Sequence, residues 1–179
     1  MDNGASSYRR FLDGDESGLN EIVEIYGNNL MYFINGFVKN ITLAEDIMED
    51  TFMELIVHKH HFRGESSFKT YLFKIARNKS LNAIKKNKIL VALETDIEDN
   101  AKLEDLIINN DKNRLVREAI GKINETYATV IHLLYFESMS YEEIGKVMKK
   151  SNKQIKNLAY RARNSLKEVL EKEGFSYEE

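Results

Sequence analysis

At 179 residues the chain holds one large or two small domains, each with a modest core. Its 42% hydrophobic and 31% charged content fits a helix-rich globular protein, and the absence of Cys excludes disulfide frameworks and thiolate chemistry. No stretch reaches the roughly eighteen apolar residues of a membrane span, and MDNGASSYRR lacks an apolar signal core, so the composition predicts a cytoplasmic protein with no membrane insertion. A net charge of −3 argues against a chain that coats nucleic acid along its whole length.

That average conceals segregation. The first third is acidic, a central stretch is basic, Glu94 to Asp111 is acidic again, and Lys146 to Lys167 carries eight Lys or Arg and no acid. Two basic blocks separated by acidic ones predict two contacts on one polyanion. The chain has no proline, so its helices must be ended by caps, Gly and polar turns.

In chain order, Tyr8 to Leu12 reads as a short helix broken by DGDESG. Leu19 to Lys39 follows with apolar residues at helical spacing, and Gly27 and Gly36 bend but do not end it. Thr42 to Glu45 (TLAE) has the form of a capping box and predicts a helix through about Val57, with Ile47, Phe52, Leu55 and Ile56 as core. Phe62 to Lys88 alternates aromatic and basic residues, bends at Gly64 and then runs as one helix. At 100° per residue, Tyr71, Lys74, Asn78, Asn82 and Lys85 share a face opposite Leu72, Phe73, Ala76, Ala83 and Ile84. Such a helix packs on one side and offers stacking and phosphate-neutralising groups on the other.

Residues 89–111 lose periodicity and turn acidic, which predicts a flexible acidic linker, with a helical turn around Leu103 to Ile108. Beyond it, Leu115, Ala119 and Ile123 mark one helix, and Tyr127, Val130, Ile131, Leu134 and Tyr135 another. Two further capping boxes, Ser140 to Glu143 and Ser151 to Gln154, delimit a short helix, a tight turn and a longer helix to about Glu171. Ile155, Leu158, Ala162, Leu166 and Val169 form the expected buried stripe of the last helix. Lys153, Lys156, Asn157, Tyr160, Arg161 and Asn164 face outward. This is a helix-turn-helix arrangement with a basic, amide-bearing second helix. The fold class is therefore all-α, two small helical domains joined by an acidic linker.

An enzymatic reading would need a carboxylate–histidine metal site from Glu45, Asp46, Glu49, Asp50 and His58, His60, His61. No Glu has a His three residues later, as helical di-iron motifs require, so no catalytic residue, metal ligand or cofactor is expected. A stand-alone helix-turn-helix regulator would need a dimerisation element, and no heptad zipper is present.

Three segments carry a family resemblance. Ala44 to Phe52 (AEDIMEDTF) resembles the AEDLVQETF helix of bacterial sigma-70-type RNA polymerase sigma factors of the small extracytoplasmic-function (ECF) group. Phe62 to Asn78 (FRGESSFKTYLFKIARN) resembles their FRGESSFRTWLYRIARN segment. Ser140 to Gly145 (SYEEIG) with Ile155 to Arg163 (IKNLAYRAR) is similar to their region 4 helix-turn-helix. The resemblance implies region 2 over residues 1–88, a linker over 89–111 and region 4 over 112–173. It implies core RNA polymerase as a partner, bound through Asp46, Glu49, Asp50 and Phe52. It further implies promoter DNA as a partner. At the −10 element the contacts would come from Arg63, Ser66, Ser67, Lys69, Tyr71, Lys74, Arg77, Asn78, Asn82 and Lys85. At the −35 element they would come from Ser151, Asn152, Lys153, Gln154, Lys156, Asn157, Tyr160, Arg161 and Arg163. An anti-sigma protein is a further partner that the resemblance allows. Departures are Glu49 for the family's Gln, Asp50 for its Glu, Tyr71 for a common Trp, and Lys149-Lys150 in a turn where Gly is usual.

Overall fold

The computed structural model describes residues 3–91 and 111–174. These residues are helical and contain no strand. In order they form α1 (Asn3–Leu12), α2 (Ser17–Val38), α3 (Ile41–Val57), α4 (Phe68–Val91), α5 (Asp111–Lys122), α6 (Glu125–Ile131), a π-helical turn (His132–Phe136), α7 (Tyr141–Met148) and α8 (Asn152–Lys172). The chain divides into two compact units, one built on α1–α4 and the other on α5–α8, except that Lys146–Met148 group with the first. The expected acidic linker, and the turn expected near Leu103, lie outside the described residues, although α4 continues through Val91 rather than ending at Lys88.

With no proline available, left-handed residues reverse the chain. Lys39, at φ 52°, ends α2 and donates its N–H to the Asn35 carbonyl. The start of α3 differs from expectation. Asn40 is its cap, accepting the Leu43 N–H at 2.8 Å, so Thr42 already lies inside the helix. Asn is the stronger capping residue, and its amide oxygen takes the orphan donor two residues before Thr42 could act.

In the first unit α2 packs against α1, α3 and α4. Ile22, Leu30, Ile34, Leu55, Leu72 and Phe73 have no exposed surface. Each such side chain contributes about 1.5–3 kcal/mol, whereas a half-buried surface pair such as Lys79–Glu54 contributes about 0–1. Packing therefore orients α4, and its basic face is not needed to hold it.

Helix α1 is longer and more central than its sequence suggests. Tyr8 is 1% exposed, its ring 5.0 Å from Phe68 and 6.0 Å from Phe62, and its hydroxyl oxygen lies 2.8 Å from the Lys59 carbonyl and 3.1 Å from that of Leu55. Burial, with a smaller contribution from Tyr71, pushes its pKa up to about 12, so the phenol stays neutral and donates. Tyr8→Phe removes the one O–H donor that these carbonyls share and should lower stability by about 1–2 kcal/mol. Urea unfolding of the two proteins side by side checks this, and equal midpoints would contradict it.

In the second unit Ile123, Ile131 and Ala162 form a core against Ile120, Tyr127, Leu166 and Val169. Two expectations shift here. The π turn, closed by Glu137 N–H to the His132 carbonyl, inserts an extra residue and rotates the chain. Leu133 rather than Leu134 is then fully buried, and Tyr135 is 56% exposed. On α8 the buried line is Ile155, Ala159, Ala162 and Leu170, with Leu158, Leu166 and Val169 only half-buried. Ala162 packs with Ile131 of α6, and its small side chain lets the two helices approach.

Candidate nucleic-acid interface

On α3, Asp46, Glu49 and Asp50 are exposed on one face. Phe52 is not exposed with them: it is 8% exposed and packs inward, where it anchors the helix. Its azimuth follows from the stripe Ile47, Phe52, Leu55. The residues directly below Asp46 on the acidic face are instead Met53, 50% exposed, and Val57, 65% exposed. The sequence signal for them was their absence from the core stripe.

The segment between α3 and α4 is held at both ends. Tyr8 clips it at Lys59, and Phe62 turns its ring to Phe68 (5.5 Å) and Tyr71 (5.2 Å). Between them Gly64 adopts φ 74°, a left-handed conformation that suits Gly, and Arg63 and Gly64 are exposed. Ser66 is half-buried. Ser67 caps α4, its hydroxyl accepting the Thr70 N–H at 3.2 Å and lying 2.8 Å from Thr70 Oγ1. Along α4, Lys74, Asn82 and Lys85 are exposed, while Lys69, Tyr71, Arg77 and Asn78 are half-buried. Burial, then the nearby Glu54 carboxylate, raises the Tyr71 pKa and keeps this phenol neutral. The structure thus brings an aromatic, two amides and exposed ammonium groups onto one helix beside an open loop.

In the second unit both capping boxes form as expected. Glu143 N–H donates to Ser140 Oγ (3.2 Å) and Ser140 N–H to Glu143 Oε2 (2.9 Å). Gln154 N–H donates to Ser151 Oγ (3.3 Å) and Ser151 N–H to Gln154 Oε1 (2.8 Å). The turn between them is tight. Lys149 is left-handed at φ 56°, a conformation that costs a non-Gly residue about 1–2 kcal/mol. Lys150 N–H donates to the Gly145 carbonyl at 3.0 Å. A Cβ on residue 145 would stand 2.6 Å from the Lys150 carbonyl oxygen, so Gly145 is what lets the turn close.

Helix α8 then presents Asn152, Lys153, Lys156, Asn157, Tyr160 and Arg161 outward, with Tyr160 66% exposed. Ser151 and Gln154, both exposed, have their oxygens committed to the cap, which leaves Gln154 its amide N–H groups. Arg163 is exposed but ordered. Its Nε donates to Tyr135 Oη at 2.7 Å, its Nη2 to Tyr141 Oη at 3.2 Å, and its guanidinium sits 5.8 Å from the Tyr135 ring centre. Those bonds, Tyr135 first, hold its pKa above the ordinary arginine value.

Residues 22–89 match the Sigma-70 region 2 family model, and residues 113–166 match Sigma-70, region 4. The chain belongs to the sigma-70 family. It is 26% identical to the ECF RNA polymerase sigma factor SigM of Bacillus subtilis, over 83% of this chain and 93% of that protein. It is also 26% identical to the ECF RNA polymerase sigma factor SigW of the same organism, over 88% of this chain and 91% of that one. The sigma factor RpoE of Bartonella quintana, solved with the anti-sigma factor NepR, superposes with a TM-score of 0.73 at 24% identity, covering 85% of this chain and 96% of that chain. The protein is an ECF-type sigma factor and directs promoter-specific transcription with RNA polymerase. Helix α1, with Tyr8 in the core, lies outside the region 2 match, so this sigma factor completes its first unit with a helix that the family model does not cover.

Proposed function

We propose that this sigma factor binds core RNA polymerase through the α3 face of Asp46, Glu49 and Asp50, with Met53 and Val57 adding apolar area beneath the charges. The Gly64 to Ser67 loop and the α4 face from Tyr71 to Lys85 engage the −10 element and assist strand opening. There, bases stack on Tyr71 and the ammonium groups neutralise phosphates. The exposed face of α8 enters the major groove of the −35 element. The protein acts in the cytoplasm and performs no covalent chemistry; nucleotide addition belongs to the polymerase. An anti-sigma protein is a further partner, in line with the complex in which the superposing RpoE was solved.

The observation that supports this most is that two separate helical units, on one chain, each present a basic and amide-bearing face. Two small modules gain affinity for one DNA when a third body fixes their spacing, so the free protein binds promoters weakly. Asp46→Arg places a like charge against a basic partner surface. It should abolish co-purification with core polymerase while leaving helical content unchanged. Retained binding by that variant would remove α3 from the polymerase contact.

A further inference from the structure

We propose that Arg163, Tyr135 and Tyr141 form a preset phosphate-binding site that fastens the DNA backbone beside the base-reading face of α8. This rests on the reading of α8 as the −35 recognition helix and adds to it two tyrosines from outside that helix.

A guanidinium carries five N–H donors and no acceptor. Arg163 uses one at Nε and one at Nη2, both on neutral phenol oxygens, so three donors remain. Each phenol oxygen accepts from Arg163 and keeps its own O–H to donate. Three side chains thus offer donors from one cluster, and no acceptor of theirs bears charge. The positive charge also stays uncompensated. Among the described residues Arg163 has no ion pair, and no carboxylate is among the groups that act on it. By contrast, Arg10, Lys79, Lys122 and Lys167 are each paired with a carboxylate. An exposed arginine already ordered by neutral acceptors has lost its rotamer freedom before any anion arrives, which favours a planar, forked grip on phosphate.

Position decides which anion. Residues 152, 156 and 163 fall on one line along α8. Asn152 and Lys156 lie in its first turns, where a recognition helix meets base edges. Arg163 lies two turns further on, where the helix leaves the groove floor and meets the backbone. Phosphate contacts fix register and do not read sequence.

The test uses holoenzyme assembled from the full chain and core polymerase, on a promoter duplex recovered by genomic run-off and on the same duplex with its upstream element scrambled. Arg163→Ala should weaken binding about tenfold on both duplexes, and lower the slope of log affinity against log salt by about one. Tyr135→Phe with Tyr141→Phe keeps the charge, so the slope should hold while affinity falls severalfold. An Arg163→Ala loss confined to the intact duplex would overturn the proposal in favour of base reading. An unchanged slope would overturn it in favour of a structural role. Lys156→Ala with Arg161→Ala separates the two layers. If that variant weakens binding and Arg163→Ala does not, the phosphate site alone fails; if neither does, the assignment of α8 fails with it.

Discussion

Lys156→Ala combined with Arg161→Ala should remove −35-dependent initiation while leaving core polymerase binding intact. Both side chains are exposed on α8 and carry no salt bridge among the described residues, so their loss leaves no buried charge behind and the helix keeps its fold. Each removed contact to a base or phosphate costs about 1–3 kcal/mol, and the pair together on the order of 3 kcal/mol, or about a hundredfold in promoter affinity. The face proposed for polymerase binding lies on α3, in the other unit, and should be unaffected. Abortive initiation on promoters with and without an upstream element measures the effect. Unchanged initiation on the −35-containing promoter would mean that α8 does not face the DNA.

The largest stability effect is expected at Gly18. A Cβ there would stand 2.2 Å from the Ser7 carbonyl oxygen and 2.8 Å from the Phe11 amide nitrogen, both backbone atoms that no rotamer change can move. Gly18→Ala must therefore push α1 off α2, and α1 carries Tyr8 into the ring cluster around Phe68. Overpacking of this kind costs about 1–3 kcal/mol, and more where backbone must shift; part of Tyr8's burial is lost with it. A total near 3 kcal/mol is expected. Hydrogen exchange should show it as faster exchange of the α1 and α2 amides, with those of α8 unchanged. Equal protection in α1 would contradict the close packing of these helices.

What could be read beforehand follows a physical line. Both capping boxes around the turn were legible because each is a local exchange between residues three apart, and the outward face of α8 followed from helical period alone. Features that depend on distant partners were not. Tyr8 is buried because Lys59 and Phe62 return to it some fifty residues later in the chain, and no spacing near residue 8 announces that. Asn40 outcompeted Thr42 because two cap candidates stood two residues apart. The π turn at His132 displaced Leu134 and Tyr135 from the core because one inserted residue rotates everything after it. Phe52 entered the polymerase-binding set through the family motif, and its place in the apolar stripe foretold its burial. Arg163 entered the −35 set through the family resemblance, and its grip on two tyrosines needed the π turn to expose Tyr135.

On the proposed reading, one chain programmes a polymerase through two DNA-facing units. Run-off transcription from genomic fragments, with core polymerase in the presence and absence of this protein, tests it most directly. Discrete new transcripts that require both components are expected, with initiation lost for Asp46→Arg. DNA retained by the protein alone, with no new transcripts, would contradict the account and indicate a regulator that works without polymerase.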